Sequence, residues 1–344
     1  MSTTKKIDAL DFMRAISVIL IILFHSMNAA LRNGGSWEKH WITAPMGSIG
    51  VSFFIIISGA GIYLSSRSWN GALSFYKKRA KNIYPTFWFV YAFASCFLLI
   101  FTGRVYIGAE PIKWIITILG FDGYMSWYMP TYYIIGEWFL GFIILMYLIF
   151  PLIRPVLHKN KLLALILSIA LSIFVYFNNK ELSSAIPIFN ASAQWNPLVR
   201  LPEFIFGAII ASMIVTESRW LFYLFPVAVL YLIIALITFD NLNKGYYSIP
   251  ALCSLFLIMV CILTKIKFSN DIMSIVKFFS ATSFIAFLIH HKIIDVVKMN
   301  VNININNIPA LYLYMVTILF SVFIIASLLS IPIKYINNVF GKNQ

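Results

Sequence analysis

The sequence predicts an all-α, polytopic membrane protein with about ten transmembrane helices. Of its 344 residues, 61% are hydrophobic and 11% are charged, whereas soluble domains carry about 25% charged residues. A soluble chain with so few charges could not cover its surface with polar groups. The composition therefore excludes a soluble globular protein, a disordered chain and a secreted disulfide scaffold, and it leaves an integral membrane protein.

Ten apolar runs are candidate membrane spans, because a helix needs roughly 20 apolar residues to cross the hydrocarbon core. The runs lie at 10–31, 47–66, 83–102, 131–152, 161–177, 198–215, 220–239, 247–265, 277–297 and 309–333. A shorter run at 111–121 predicts an interfacial or re-entrant segment. The linkers are too short for a second domain, so we expect residues 1–344 to form a single transmembrane domain. We expect the first run to be retained, because it has no small-residue cleavage site.

The Lys and Arg residues between the runs predict the orientation of the chain in the membrane. With the N-terminus placed in the cytoplasm, 17 of the 26 Lys and Arg residues fall on the cytoplasmic side and nine fall outside. This bias predicts an even number of spans and two cytoplasmic termini. The formal net charge of +14 is then mostly an orientation signal and requires no nucleic-acid partner.

One cytoplasmic segment, 67–81, is more basic than orientation requires. It contains no acidic residue and five cations, which are Arg67, Lys77, Lys78, Arg79 and Lys81. Anionic lipid headgroups would bind such a segment, and so would a polyphosphate ligand that arrives from the cytoplasm. Charge alone does not separate these two interpretations.

Ionisable residues in the first run are functional candidates, because charges inside a membrane are costly. Arg14 and His25 are eleven residues apart, which is about three helical turns, so both lie on one face of a helix. They are roughly 16 Å apart along the helix axis, with Asp11 one turn below Arg14. This face would carry a cation at the cytoplasmic mouth and a titratable base inside the membrane. The alternative is a snorkelling arginine and a histidine that only packs.

Further ionisable residues lie in the later runs. Glu137 is expected about two turns below the outer surface, at a depth similar to the histidine of the first run. Arg200 and Glu203 are three residues apart, and we expect them to pair with each other. His290 and His291 are adjacent, so they point about 100° apart on a helix and are not expected to face one site.

Several common catalytic patterns are missing from the sequence. The three cysteines, Cys96, Cys253 and Cys261, fall in apolar runs without a CxxC pair, which predicts reduced packing residues and no zinc or iron–sulfur site. No GxSxG, HExxH or P-loop motif occurs, so the sequence does not support a serine hydrolase, a zinc protease or an ATPase. We expect no metal in the site.

At these residues the sequence resembles the acyltransferase-3 family of integral membrane O-acyltransferases, over nearly the whole chain and in family order. The family's hallmark, an arginine followed by ten residues and a histidine, is matched by Arg14 and His25. The segment GVSFFIIISG at 50–59 is similar to the family's GVDLFFVLSG, with Ser52 in place of the aspartate. RLPEFIFG at 200–207 is very close to the family's RLPEF-x-x-G.

Three further motifs complete the resemblance. FYKKRAKNIYPTFW at 75–88 is similar to a Phe–basic–Arg…Arg–Ile–x–Pro pattern, but Asn82 stands where a second arginine is usual. The family's glutamate–aromatic…proline segment is matched through Glu137 and Pro151. SFIAFLIHH at 283–291 is similar to a Ser–Tyr–x–x–Tyr–Leu–x–His ending, with phenylalanines for the tyrosines. Each motif alone is weak, but six in order on ten runs make a strong match.

The resemblance implies a ten-helix enzyme that moves an acyl group, usually acetyl from acetyl-CoA, onto a sugar hydroxyl. The implied acceptor is a cell-surface glycan or its lipid-linked precursor, and the implied location is the cytoplasmic membrane of a bacterium. Some members of the family carry a fused hydrolase-like domain. The chain ends shortly after its last run, so no such domain is expected.

The resemblance and the chemistry of the side chains together predict roles for the site residues. His25 is predicted to be the base or acyl acceptor, with Glu137 as the carboxylate that orients it. The cations predicted to bind the phosphates of acyl-CoA are Arg14, Arg79, Lys77, Lys78 and Lys81. The residues predicted to support the site or face the acceptor are Asp11, Ser58, Arg200, Glu203 and His290. Asn82 would cost the donor site one charge, and Ser52 would leave the role of the family aspartate unfilled.

Two other classes of membrane protein fit part of the sequence. A transporter or flippase for the same glycan would show inverted repeats and helices broken near the membrane centre. No repeat is evident, although Gly59, Gly61 and Pro85 could break spans. A structural or sensory subunit without catalysis is disfavoured by the shared helix face of Arg14 and His25.

Overall fold

The computed structural model describes residues 8–32, 40, 42–103, 109–186, 192–238, 246, 248–301 and 307–341. Within these residues the chain forms thirteen α-helices, two short 3₁₀ turns and no strand. The helices are α1 (Asp8–Leu31), α2 (Met46–Ser65), α3 (Ala72–Thr102), α4 (Trp114–Ile118), α5 (Asp122–Met125), α6 (Glu137–Lys159), α7 (Lys161–Phe177), α8 (Asn179–Ala185), α9 (Leu201–Val215), α10 (Trp220–Thr238), α11 (Ser248–Leu263), α12 (Asn270–Asn300) and α13 (Ile308–Gly341).

Each of the ten predicted runs overlaps a helix. In the described part of the chain, seven helices are long and apolar enough to cross a membrane alone, namely α1, α2, α3, α6, α10, α12 and α13. α7 and α8 form an eighth candidate that is bent by 76°, and α9 and α11 are shorter apolar helices. The predicted all-α, polytopic membrane fold is confirmed, while ten spans and two cytoplasmic termini stay predictions.

The third helix begins earlier than the sequence predicted. α3 starts directly after Gly71, so most of the basic segment 67–81 forms the first turns of a helix rather than a loop. No proline or glycine interrupts the chain between Gly71 and Pro85, and the helix continues through that proline. The cations of this segment are therefore presented at fixed helical positions.

Two parallel helices, α1 and α12, form one side of the bundle centre. α1 also packs against α2 and α13, and α2 packs against α9. Contacts at three levels align α1 with α12: Lys277 Nζ with Asp8 Oδ1 at 3.8 Å, Ser280 Oγ with Asp11 Oδ1 at 2.7 Å, and the His290 ring with the His25 ring at 5.2 Å between centroids. This alignment places the polar groups of the two helices at matching depths.

α2 and α9 cross where each has a glycine. A Cβ atom on Gly59 would lie 1.9 Å from the carbonyl oxygen of Phe204, and one on Gly207 would lie 1.8 Å from the carbonyl oxygen of Ile56. Small residues allow membrane helices to approach this closely. Because the obstacles are backbone atoms, neither site can accept a side chain unless the helices move apart.

We expect Gly59→Ala to lower the free energy of unfolding by about 3 kcal/mol, at the upper end of overpacking effects. Gly61→Ala on the same helix is the matched control, because a Cβ there meets no atom within 4 Å. Thermal unfolding of both variants in detergent measures the difference. Equal unfolding temperatures for the two variants would show that the close crossing is not required.

The helical pieces described between α3 and α6 are each too short to cross the membrane, as predicted for 111–121. These pieces are a 3₁₀ turn at Pro111–Lys113, α4 and α5, and α5 packs against α6. Asp122 at the start of α5 is buried, and its Oδ1 accepts a hydrogen bond from Thr117 Oγ1 at 2.9 Å. Burial raises the pKa of Asp122 to about 6, although the bond from Thr117 opposes the shift.

A raised pKa means that the folded protein binds the Asp122 proton more tightly than the unfolded chain does. The resulting stability is complete below about pH 4 and is lost as the pH rises through about 6. We therefore expect Asp122→Asn to stabilise the protein at pH 8, by on the order of 3 kcal/mol, and to have a much smaller effect at pH 4.5. Unfolding temperatures of wild type and variant at the two pH values test this. The same difference at both values would contradict it.

Candidate active site

A cavity of about 470 Å³ lies between α1, α2, α3, α6 and α12. Its polar lining includes Arg14, Ser58, Ser65, Lys78, Arg79, Asn82, Tyr147 and Ser283, and its apolar lining includes Phe54, Ile57, Ile62, Ile83, Phe139, Leu140, Ile143, Phe284 and Phe287. From Phe54 to Ser65 the cavity follows α2 for eleven residues, or roughly 16 Å of helix. The cavity is therefore long, with cations towards one end and aromatic rings towards the other.

The side chain of Arg14 extends from α1 into this cavity, and hydrogen bonds to Asp11 and Ser280 fix its position. Its Nη1 donates to Asp11 Oδ1 at 3.2 Å and to Ser280 Oγ at 3.1 Å. Asp11 is buried, while the side chain of Arg14 is 35% exposed. Asp11 therefore positions the guanidinium and leaves part of it accessible within the cavity, while its supporting role in the reaction stays a prediction.

Arg79 enters the same end of the cavity from α3. Its Nη2 donates to Ser65 Oγ at 2.5 Å, and its guanidinium lies 5.4 Å from the Phe75 ring and 5.8 Å from the Tyr147 ring. Nε is buried without a hydrogen-bond partner, and no described carboxylate forms an ion pair with this arginine. An unneutralised guanidinium in a cavity is suited to an anionic ligand.

The predicted cations of α3 divide into two groups. Lys78 lines the cavity next to Arg79, as does Asn82. Lys77 and Lys81 are exposed and are not part of the lining. Helical periodicity explains the division, because residues 78, 79, 82 and 83 share one face of a helix. Lys77 and Lys81 can attract an anion to the surface, but they do not line the cavity.

Three phenylalanines form a layer at the other end of the cavity. Ring centroids are 5.6 Å apart for Phe139 and Phe287, 6.0 Å for Phe54 and Phe139, and 6.4 Å for Phe54 and Phe287. The ring of Phe287 also lies 5.8 Å from His290, one turn further along α12. This aromatic layer separates the apolar part of the cavity from a group of histidines.

His25, His290 and His291 form that group, which we call the histidine cluster. Ring centroids are 5.2 Å apart for His25 and His290, 4.5 Å for His25 and His291, and 4.4 Å for His290 and His291. The expectation that the adjacent pair could not face one site was therefore wrong. Although their directions differ along α12, both side chains are long enough to reach a third ring that approaches from α1.

Glu137 is the first residue of α6, two residues before Phe139 of the aromatic layer. The sequence placed this span's start at 131, but Gly136 has a φ of 89°, which a right-handed helix does not adopt. The backbone of Glu137 thus lies towards the aromatic end of the cavity. Its side chain is outside the described part of the structure, so the predicted contact with His25 stays a prediction.

Arg200 and Glu203 pair with each other, as the sequence predicted. Nε of Arg200 donates to Glu203 Oε2, and Nη2 donates to Oε1 at 3.0 Å and to Ser52 Oγ at 2.8 Å. Ser52 in turn donates to Oε1 of Glu203 at 2.5 Å. The hydroxyl of Ser52 thus connects α2 to the buried ion pair of α9, while the expectation that the role of the family aspartate is unfilled stays a prediction. None of these three residues lines the cavity.

Sequence reasoning missed Tyr147, the aromatic layer, Ser280 and the part played by His291. Tyr147 shares a face of α6 with Phe139 and Ile143, and all three line the cavity. The three residues are four positions apart in the sequence, a spacing that already indicated a shared helix face. Ser280 had no such signal, because its role depends on the alignment of α12 with α1.

The fold and the cavity define an integral membrane protein whose helices enclose a long, mostly apolar cavity with cations at one end and imidazoles beyond the other. The family described as an acyltransferase domain, acyltransferase-3, matches residues 7–331. The chain belongs to this family and is a membrane acyltransferase. Comparisons with curated proteins and with solved structures gave no significant match.

Proposed function

We propose that this acyltransferase moves an acetyl group from cytoplasmic acetyl-CoA to a hydroxyl of a cell-surface glycan or its lipid-linked precursor. The observation that carries the proposal is the cavity, which extends from Arg14, Lys78 and Arg79 to the aromatic layer beside the histidine cluster. The positive-inside bias supports a cytoplasmic position for the cationic end, in the plasma membrane of a bacterium.

The donor end suits the chemistry of CoA. Its phosphates would bind the guanidinium groups of Arg14 and Arg79 and the ammonium group of Lys78, since arginine forms paired hydrogen bonds with phosphate. Lys77 and Lys81 would raise the local concentration of the anion from the exposed side of α3. Lys78, beside Asn82, compensates for the missing second arginine of the family pattern. The thin pantetheine arm would follow the cavity past Ser58 and Tyr147.

The transfer itself would take place beyond the aromatic layer. His25 would accept the proton of the acceptor hydroxyl, the oxygen would attack the thioester carbonyl, and the carbon–sulfur bond would break with CoA thiolate as the leaving group. Alternatively, an imidazole nitrogen would take the acyl group first and pass it to the hydroxyl. Glu137 would orient His25 and stabilise its charged form, as a carboxylate does in a Ser-His-Asp triad. His290 would support the ring of His25 from α12.

The sequence allowed breaks at Gly59, Gly61 and Pro85, which a transporter could use. The structure shows none there, because α2 and α3 are continuous through these positions. The two helices instead form walls of the cavity. A cavity with a fixed cationic end is the arrangement expected for a bound donor.

Arg79→Ala tests the donor site. Removing a charge-assisted hydrogen bond costs about 1.5–3 kcal/mol, so we expect the KM for acetyl-CoA to rise by about tenfold to a hundredfold. The kcat should change much less, because Arg79 is distant from the transferred acyl group. Arg154→Ala is the matched control, since this arginine does not line the cavity. Unchanged donor kinetics in both Arg79→Ala and Arg14→Ala would contradict the proposal.

A further inference from the structure

The histidine cluster joins three of the five histidines in the sequence. Each of them offers a ring nitrogen, and the three nitrogens lie within 4.8 Å of one another. Two ligands come from adjacent positions of α12 and the third comes from α1, so the grouping depends on the fold and has no spacing motif. The arrangement has the donor set of a metal site.

The geometry of the cluster is close to what a metal ion needs. Zinc–nitrogen bonds are about 2.0–2.1 Å, which places tetrahedral ligand atoms about 3.4 Å apart. The three ring nitrogens would have to approach one another by roughly 1 Å to reach this tetrahedral spacing. Rotation about the side-chain bonds can supply that movement. His25 and His291 are half-buried and His290 is fully buried, so an ion could reach the cluster from the side of the first two.

The orientation of His290 also favours metal binding. Its Nδ1 lies 2.6 Å from the carbonyl oxygen of Phe287. Because a carbonyl only accepts, this bond assigns the hydrogen to Nδ1 and the lone pair to Nε2. Histidine ligands of metals typically donate their other ring nitrogen to a carbonyl or carboxylate in this way, which fixes the tautomer and the ring direction.

We propose that His25, His290 and His291 bind a transition-metal ion that prefers imidazole, with Zn²⁺ as the leading example. Among the described side chains, these three histidines are the ligands available, and three imidazoles leave one tetrahedral position open. Mg²⁺ and Ca²⁺ prefer oxygen ligands and are not expected to bind. The site goes beyond the proposed acyl transfer, and only its consequence rests on that function. A bound ion occupies the lone pair of His25, so Zn²⁺ blocks the transfer.

Cobalt is the probe for binding, because Co²⁺ shows visible absorption when bound by a few protein nitrogens. The chelator-treated full chain in detergent is titrated with Co²⁺, and one equivalent should produce the absorption band. His291→Asn and His290→Asn should each weaken Co²⁺ binding by at least about tenfold. His158→Asn, which alters a histidine outside the cluster, is the matched control and should bind like wild type. No absorption in wild type, or equal binding in all variants, would overturn the site.

A second measurement uses the wild-type chain and so does not depend on the folding of variants. Diethyl pyrocarbonate modifies accessible histidines, and peptide mass spectrometry reports each position. Zn²⁺ should slow modification of His25 and His291 and leave His158 unchanged. Uniform protection, or none at the cluster, would overturn the proposal.

Inhibition is measured separately on acyl transfer. Zn²⁺ should inhibit wild type, a chelator should reverse the inhibition, and His291→Asn should require at least about tenfold more Zn²⁺. Activity that is lost on chelation and restored by Zn²⁺ would overturn the inhibitory role. The cobalt and modification measurements need no acyl transfer, so they decide whether the metal binds even if the proposed enzyme activity fails.

Discussion

Replacing His25 with Gln or Asn is expected to lower acyl transfer by about 10²–10⁴-fold, the usual loss when a general base is removed. Gln and Asn keep a polar atom near one ring-nitrogen position, so a histidine that only packs would tolerate them. An amide can neither take the proton of a hydroxyl nor carry an acyl group. The expected loss therefore separates catalysis from packing.

The assay for this prediction uses purified protein that elutes and unfolds like wild type, with acyl transfer to glycan as the readout. His158→Gln is the matched control, because His158 lies near the end of α6 and contacts Ser66 rather than the histidine cluster. Activity of the His25 variants within a few-fold of wild type would make His25 a packing residue. His290 would then become the next candidate for the base.

The second large effect is expected at the ion pair of α9. Glu203 is fully buried and Arg200 is 8% exposed. Glu203→Gln leaves the guanidinium buried without its counter-charge, which typically costs about 3–5 kcal/mol. We expect a clear fall in the unfolding temperature, with activity reduced in proportion to the loss of folded protein. The pair does not line the cavity, so the kcat of the remaining folded protein should change little.

A double variant provides the control for this prediction. Arg200→Met together with Glu203→Leu removes both charges and should recover most of the lost stability, because a buried pair is often replaceable by apolar residues. Wild-type stability in Glu203→Gln, combined with a large loss of kcat, would contradict a structural role. It would instead place the pair on the acceptor side of the reaction.

Much of the fold could be predicted from composition and from the length of apolar runs. Each run became a helix because a membrane leaves the backbone no other local way to satisfy its hydrogen bonds. The exceptions arose at helix ends, where length is not decisive. Gly136 delays the start of α6, and the absence of a breaker between Gly71 and Pro85 allows α3 to begin early.

Part of the candidate site could also be predicted, because it depends on positions along a single helix. Whole-turn spacing put Arg14 and His25 on one face, and an interval of three residues paired Arg200 with Glu203. Arg14 lines the cavity, and Arg200 and Glu203 form the expected ion pair.

The remaining features depend on how two helices are aligned, which no single segment specifies. Ser280 meets Asp11 and His291 meets His25 only because α1 and α12 run in parallel at a particular register. Ser52 joins the ion pair only because α2 crosses α9 at close range. Such contacts are separated by more than a hundred residues in sequence, beyond the reach of any periodicity.

The claim that acyl-CoA occupies the cavity can be tested without knowing the acceptor. Ser58→Cys introduces a thiol in the cavity wall, and a water-soluble thiol reagent followed by peptide mass spectrometry measures its rate of modification. Acetyl-CoA should slow modification at position 58. The protection should require more acetyl-CoA when Arg79→Ala is added. An unchanged rate at position 58, with acetyl-CoA raised into the millimolar range, would contradict occupation of the cavity by the donor.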